Sequence, residues 1–245
     1  FKQKTAYEIS LGLVGSEMCI RDRWITVFIV GSAIYYLLMV LFGSKNIHGV
    51  SKALARIFII SGFQRFKIEG ELPDKTRGPY LYLFNHGSIF DPFMVIAAVP
   101  HYITGVGSKE QFSWPLWGKL AKRYGLIPIE RKKIGSAVKS LDSLESAIGN
   151  GISAAISPEG TRTLSGKMNA FKKGPFHVAF NTGITIIPVA LKGAYEAQNK
   201  NHWRIKPGKL KTVFGQPIEK NEYEMMDIDQ LSKKVKNEIQ KMLDR

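Results

Sequence analysis

Residues 79–91 read PYLYLFNHGSIFD. The run from Pro79 to Phe84 is short, apolar and rich in aromatic side chains, which suits a buried strand better than a helix. Gly87 and Ser88 favour a turn directly after it. Asp91-Pro92 then reads as a helix opening, with Asp as the cap and Pro at the first helical position. A strand, a turn and a helix in this order fold Asp91 back toward His86. A carboxylate beside an imidazole accepts the proton of one ring nitrogen and leaves the other nitrogen free as a base. Ser88 shares the turn but lies outside a GxSxG pattern, and the single cysteine, Cys19, is far away in sequence. The pair therefore reads either as a base that activates a substrate hydroxyl or as polar groups that only hold the turn together.

Working outward, short apolar runs alternate with amphipathic ones. Residues 80–84, 103–106, 126–129, 152–156 and 184–191 are strand candidates, and 92–99, 112–124, 134–150 and 175–182 are helix candidates. This alternation predicts a single α/β domain with a largely parallel sheet flanked by helices, in which ligands bind at the carboxyl ends of the strands. Residues 203–216 (WRIKPGKLKTVFGQ) read as a hairpin, and 229–243 as a closing amphipathic helix.

The chain of 245 residues carries a net charge of +15 with 44% hydrophobic residues. That balance points to an acidic partner: an anionic lipid surface, nucleic acid or a phosphorylated small molecule. One cysteine argues against disulfides and against a cysteine-ligated metal site. The run AYEISLGLVGSEMCIRDR, from Ala6, looks like translated adapter sequence, so residues 1–22 are expected to be a non-native segment and are kept out of the fold argument. Residues 24–43 (WITVFIVGSAIYYLLMVLFG) contain no charged side chain, and about 20 apolar residues are what a helix needs to cross the hydrocarbon core. Tyr and Gly within the run leave an interfacial or re-entrant placement open. Residues 53–63 are too short to span and carry Arg56, which suits a helix lying in the interface. The expected organisation is thus 1–22 non-native, 23–63 membrane-associated helices and 64–245 the α/β domain.

Polar and basic groups recur where the strands end. After His86 and Asp91 come Lys109, then Glu130 and Arg131, then SPEGTR at residues 157–162. Pro158 and Gly160 make a rigid turn that allows close backbone approach to a ligand. Arg162 suits a phosphate because its planar fork gives bidentate, charge-assisted hydrogen bonds. Glu159 is placed either to accept a hydroxyl hydrogen bond or to pair with Arg162.

Taken in order, NHGSIFD (85–91), GLIPIER (125–131), SPEGTR (157–162) and IIPVAL (186–191) resemble the four blocks of the glycerolipid acyltransferase family, which includes the 1-acyl-glycerol-3-phosphate acyltransferases. Ser157 departs from the aromatic residue found there in many members, which bears on acceptor or acyl-chain preference. The resemblance implies transfer of a fatty acyl group from acyl-CoA or acyl carrier protein to the free hydroxyl of 1-acyl-glycerol 3-phosphate, giving phosphatidic acid in phospholipid biosynthesis. It implies His86 as general base, Asp91 as its orienting group, Arg131 and Arg162 as phosphate ligands, Glu159 and Gly160 as the acceptor-binding pair and Lys109 as a further anion contact. It calls for no cofactor or metal, and it places the enzyme at a membrane with its catalytic domain on the cytoplasmic face.

Rival readings change the acceptor to lyso-ornithine lipid, another lysophospholipid or glycerol 3-phosphate, or reduce the chain to a membrane-binding module with no use for His86. Nucleic-acid binding draws on charge alone and lacks the motif or interleaved aromatic pattern it needs.

Overall fold

The computed structural model describes residues 6–130 and 134–245, and the side chains of residues 19–130 and 135–245. Strands β1 (Gln64–Glu69), β2 (Tyr80–Phe84), β3 (Ile103–Ser108), β4 (Ile127–Ile129), β5 (Ser153–Ile156), β6 (Thr185–Lys192) and β7 (Gly208–Phe214) form one sheet in the order β1-β7-β6-β2-β5-β3-β4. Only β6 and β7 pair antiparallel; every other neighbouring pair is parallel. Helices are α1 (Ala6–Phe42), α2 (His48–Ser61), α3 (Asp91–Ala98), α4 (Pro115–Tyr124), α5 (Ile134–Gly149), α6 (Gly174–Thr182), α7 (Ala194–Ala197), α8 (Lys220–Tyr223) and α9 (Ile228–Asp244).

The two-residue period of β2 divides the core. Tyr80 and Tyr82 face a cluster built with α2 and α3, whereas Leu81 and Leu83 face one built with α5, α6 and α9. With a helical layer on each face, the central strand is buried on both sides, which is why YLYLF is continuously apolar rather than alternating. Helix α9 buries Leu231, Val235, Ile239 and Met242, one stripe at helical spacing. It opens on a capping box between Asp227 and Gln230.

One expectation is corrected and one strand is added. Residues 203–216 are not a hairpin: only Gly208–Phe214 is strand, and it pairs parallel with β1 and antiparallel with β6. Pro207 removes a ladder donor ahead of it, and its partners lie far away in sequence. Strand β1 was not anticipated at all. Its alternating pattern follows directly on the apolar run of α2 and is too short to stand out.

The N-terminal helices do not stand apart from the domain. Helix α1 runs antiparallel to α2: Arg23 donates to Ser61 O at 2.6 Å, Trp24 Nε1 to Phe58 O at 2.9 Å, and the Tyr35 and Ser51 hydroxyls share a hydrogen bond. The crossing is close, because a Cβ on Gly31 would meet the Phe58 ring at 2.9 Å. Trp24 stacks edge-on against Phe90 and Phe93, while Met39, further along, packs with Leu120 and Tyr124 of α4. Residues 19–42 also form a segment long and apolar enough to cross a membrane.

Candidate active site

The site forms where β2 and β5 end side by side. Leu83 pairs with Ile156 in the parallel ladder, so the loops that carry His86 and Glu159 leave the sheet in step. Asn85 extends the contact to the other neighbour: its Nδ2 donates to Leu191 O at 3.1 Å and its Oδ1 accepts from Leu191 N at 2.7 Å. That two-point clamp fixes the chain direction one residue before the histidine.

His86 Nδ1 lies 2.6 Å from Asp91 Oδ2. The same oxygen accepts the backbone N–H groups of Gly87 and Ser88 at 2.8 and 2.9 Å. Asp91 is therefore not the helix cap expected from the sequence. It is the first residue of α3, with Phe90 at the cap position, and its carboxylate turns back to organise the loop before it. The Asp91 side chain is fully buried, whereas that of His86 is 23% exposed. The imidazole is thus reachable by a substrate and its carboxylate is not. With the Nδ1 proton held by Asp91, Nε2 carries the free lone pair. Ser88 is buried, and its Oγ accepts the N–H of Phe90; it belongs to the turn and is not presented as a nucleophile.

Glu159 and Arg162 join this loop from β5. Glu159 is 2% exposed, and both of its oxygens meet backbone donors: Oε1 accepts from His86 N at 2.8 Å, and Oε2 from Asn169 N at 2.8 Å. Burial pushes its carboxyl above the usual range, and the two backbone hydrogen bonds pull it part of the way back. Thr163 N closes the contact by donating to His86 O at 2.8 Å. Gly160 adopts φ +70°, a left-handed conformation that a Cβ disfavours, and turns the chain between Glu159 and Arg162. Arg162 is half-buried, and its Nη1 lies 3.4 Å from Oε1 of Gln198. Burial lowers the guanidinium from its usual value, opposed by the negative charge of Asp91. A half-buried guanidinium whose hydrogen-bond partner is the neutral Gln198 amide keeps donors that are not tied to a carboxylate.

His86, Asp91, Glu159, Gly160 and Arg162 therefore come together. Lys109 sits elsewhere on the rim: β3 and β4 pair Ser108 with Ile129, and one residue further Lys109 Nζ meets Glu130 Oε2 at 2.8 Å. Arg131 lies outside the described residues. Sequence reasoning missed Gln198, Thr163 and Asn169, whose roles depend on long-range contacts that leave no local pattern. Among the described residues, no group of three or more His, Cys, Asp or Glu side chains is arranged to hold a metal ion.

Comparison with known proteins supplies an independent line. The model of the family described as Acyltransferase matches residues 65–192. A 1-acyl-sn-glycerol-3-phosphate acyltransferase from Cocos nucifera is 32% identical over 158 residues, covering 64% of this chain and 51% of the relative. One from Haemophilus influenzae is 28% identical over 182 residues, covering 73% of this chain and 74% of the relative. The chain spans only 51–60% of the length of the plant relatives from Cocos nucifera and Limnanthes douglasii. The crystal structure of the 1-acyl-sn-glycerophosphate acyltransferase PlsC from Thermotoga maritima superposes with a TM-score of 0.80 at 20% identity, over 93% of this chain and 94% of that one, and so shares the fold.

Proposed function

This chain belongs to the Acyltransferase family, and on that premise we propose that it transfers a fatty acyl group from an acyl thioester to the free hydroxyl of 1-acyl-glycerol 3-phosphate, giving phosphatidic acid. The observation that carries the reading is the 2.6 Å contact between a reachable His86 imidazole and a buried Asp91 carboxylate, with Arg162 on the adjoining loop. His86 Nε2 takes the proton of the acceptor hydroxyl as its oxygen bonds to the thioester carbonyl carbon. The carbon–sulfur bond then breaks, and the leaving thiolate recovers the proton. Asp91 stabilises the imidazolium formed between these steps. A positioned base of this kind contributes about a hundredfold to ten-thousandfold.

Acyl-CoA and acyl carrier protein both fit as donor, and neither step calls for a cofactor. Arg162, and Arg131 as the family resemblance implies, would hold the acceptor phosphate. Lys109 already has Glu130 as a partner, which favours a supporting role at the rim. This pairing also keeps a second reading in view, in which the acceptor is a lysolipid without a terminal phosphate, such as lyso-ornithine lipid.

For location, we read the chain as membrane-associated, with 23–63 as the membrane-associated segment, 64–245 as the catalytic domain and 1–22 as non-native. Ile29, Ile34, Leu37 and Leu41 of α1 and Ile57 and Ile60 of α2 are exposed apolar side chains. At 1.5 Å per residue, the stretch from Trp24 to Met39 is about 22 Å long, yet it packs on the domain at both ends. A helix held along the flank of the domain lies with it in the interface rather than crossing alone. The catalytic domain is read as lying on the cytoplasmic face, as the family resemblance implies. The test is to supply purified protein with acyl-CoA and a panel of lysolipids, follow thiol release and identify the product. Release that needs no lysolipid, or none above background, overturns the assignment.

A further inference from the structure

Residues 198–207 (QNKNHWRIKP) form a loop with Lys200, Arg204 and Lys206 and no acidic residue. The loop is held firmly at its base. Ile205 is 1% exposed, Lys206 N donates to Ala197 O at 2.9 Å, and Gln64 Nε2 donates to Lys206 O at 2.6 Å. Against that base, Trp203 is 50% exposed, and it bears on binding only as part of a wider exposed apolar patch that something covers.

Its surroundings indicate what does. The Arg204 guanidinium of the same loop lies 5.5 Å from the Trp203 ring, so the indole is set beside a cation. Gly208 N reaches Phe63 O, so the same loop borders the turn after α2. There Phe63 adopts φ +55°, the one positive φ outside glycine among the described residues, and holds its ring in the open beneath Arg23 at 3.7 Å. A left-handed conformation is disfavoured for a residue with a Cβ. Ile60 is exposed beside it. Aromatic tips set among cations, continuous with an exposed apolar helix face, have the chemistry of a surface that seats in the headgroup layer of an anionic bilayer.

We propose that residues 198–207 are a second membrane-contact element. Trp203 enters the headgroup layer beside Phe63 and Ile60, while Lys200 and Lys206 meet lipid phosphates. The loop also reaches the candidate site: Gln198 donates through Nε2 to His202 O at 2.6 Å and through Oε1 receives Arg162 Nη1 at 3.4 Å. Seating Trp203 therefore steadies the amide that lies beside Arg162. This coupling rests on the acyl-transfer reading above; the membrane contact does not.

The experiment uses the full chain with vesicles of phosphatidylcholine and phosphatidylglycerol that carry a spin-labelled quencher at shallow depth. Trp203→Phe should remove a strongly quenched component of the tryptophan emission, leaving that of Trp24, Trp114 and Trp117. Lys200→Glu with Lys206→Glu should weaken binding to these vesicles by about tenfold or more and leave binding to pure phosphatidylcholine unchanged. Circular dichroism checks that both variants fold. Identical quenching with and without Trp203, or equal binding loss on both vesicle types, overturns the proposal even if thiol release is robust. Quenching that depends on Trp203 in a protein without acyl transfer upholds the contact and sinks the catalytic reading instead.

Discussion

The backbone N–H of His86 donates to Glu159 Oε1 at 2.8 Å, while the second oxygen of Glu159 receives Asn169 N. A carboxylate with both oxygens occupied by main-chain donors and 2% exposure is expected to act on the substrate through the loops it holds. Glu159→Gln replaces one acceptor by a donor, so one backbone N–H faces an NH2 group. A buried donor left without an acceptor costs about 1–3 kcal/mol. The expected result is at least a tenfold fall in kcat with little change in acceptor KM, together with a lower Tm. If only the KM rises, Glu159 binds the acceptor directly.

The imidazole and its carboxylate should fail in different ways. His86→Ala should lower turnover by about a hundredfold to ten-thousandfold without changing the circular dichroism spectrum. Asp91→Asn should be severely impaired as well, and also less stable, because Asp91 Oδ2 gathers Nδ1 of His86 and the N–H groups of Gly87 and Ser88. Near-normal turnover of purified His86→Ala protein would eliminate the general-base mechanism.

Arg162→Lys keeps the charge and loses the planar fork. With 1-acyl-glycerol 3-phosphate the efficiency should drop roughly ten- to a hundredfold, the equivalent of about 1.5–3 kcal/mol, while the acyl donor KM stays nearly constant. A lysolipid without a terminal phosphate should lose much less. Equal losses for both acceptors would mark Arg162 as structural and favour the lyso-ornithine or general lysolipid reading.

Acid should loosen the contact between the start of α2 and the end of α3. Burial lowers the His101 imidazole from its ordinary 6.5 to about 4, helped by His48, Lys52 and Lys75. Burial likewise lowers His48, whose Nε2 faces Val99 O. A lowered imidazole means that the unfolded chain binds more protons between the two values. Stability is then complete above about 6.5 and falls as the pH drops toward about 4. His101→Gln should flatten this part of the profile, measured as Tm against pH; an unaltered slope would assign the acid sensitivity to other groups.

Truncation separates the two parts of α1. Removing residues 1–22 should leave activity and membrane retention as they are. Deletion through Gly43 uncovers Phe90, Phe93, Leu120 and Tyr124, which pack against Trp24, Phe28 and Met39. The shorter chain should therefore aggregate or lose several degrees of Tm, rather than appear as a soluble domain. A well-folded soluble fragment would show that these contacts contribute little.

Much of the architecture was legible because it is local. A short, aromatic-rich apolar run such as YLYLF suits a strand buried on both faces, and the 3.6-residue spacing of Leu231, Val235 and Ile239 suits one helix face. The same holds for His86 and Asp91, which a turn of few residues brings together whatever surrounds it. Tertiary structure decided what depends on neighbours far along the chain. The strand order placed β7 between β1 and β6 and so undid the hairpin reading. The β2–β5 register set Glu159 under the amide of His86, a role that its carboxylate chemistry alone does not distinguish from binding a hydroxyl or an arginine. Lys109 found Glu130 for the same reason, through the pairing of β3 with β4. Side-chain type and spacing specify local conformation and available chemistry. Which donor meets which acceptor is settled only when packing brings separate strands into register, because hydrogen bonds act over about 3 Å and burial decides whether water competes for them.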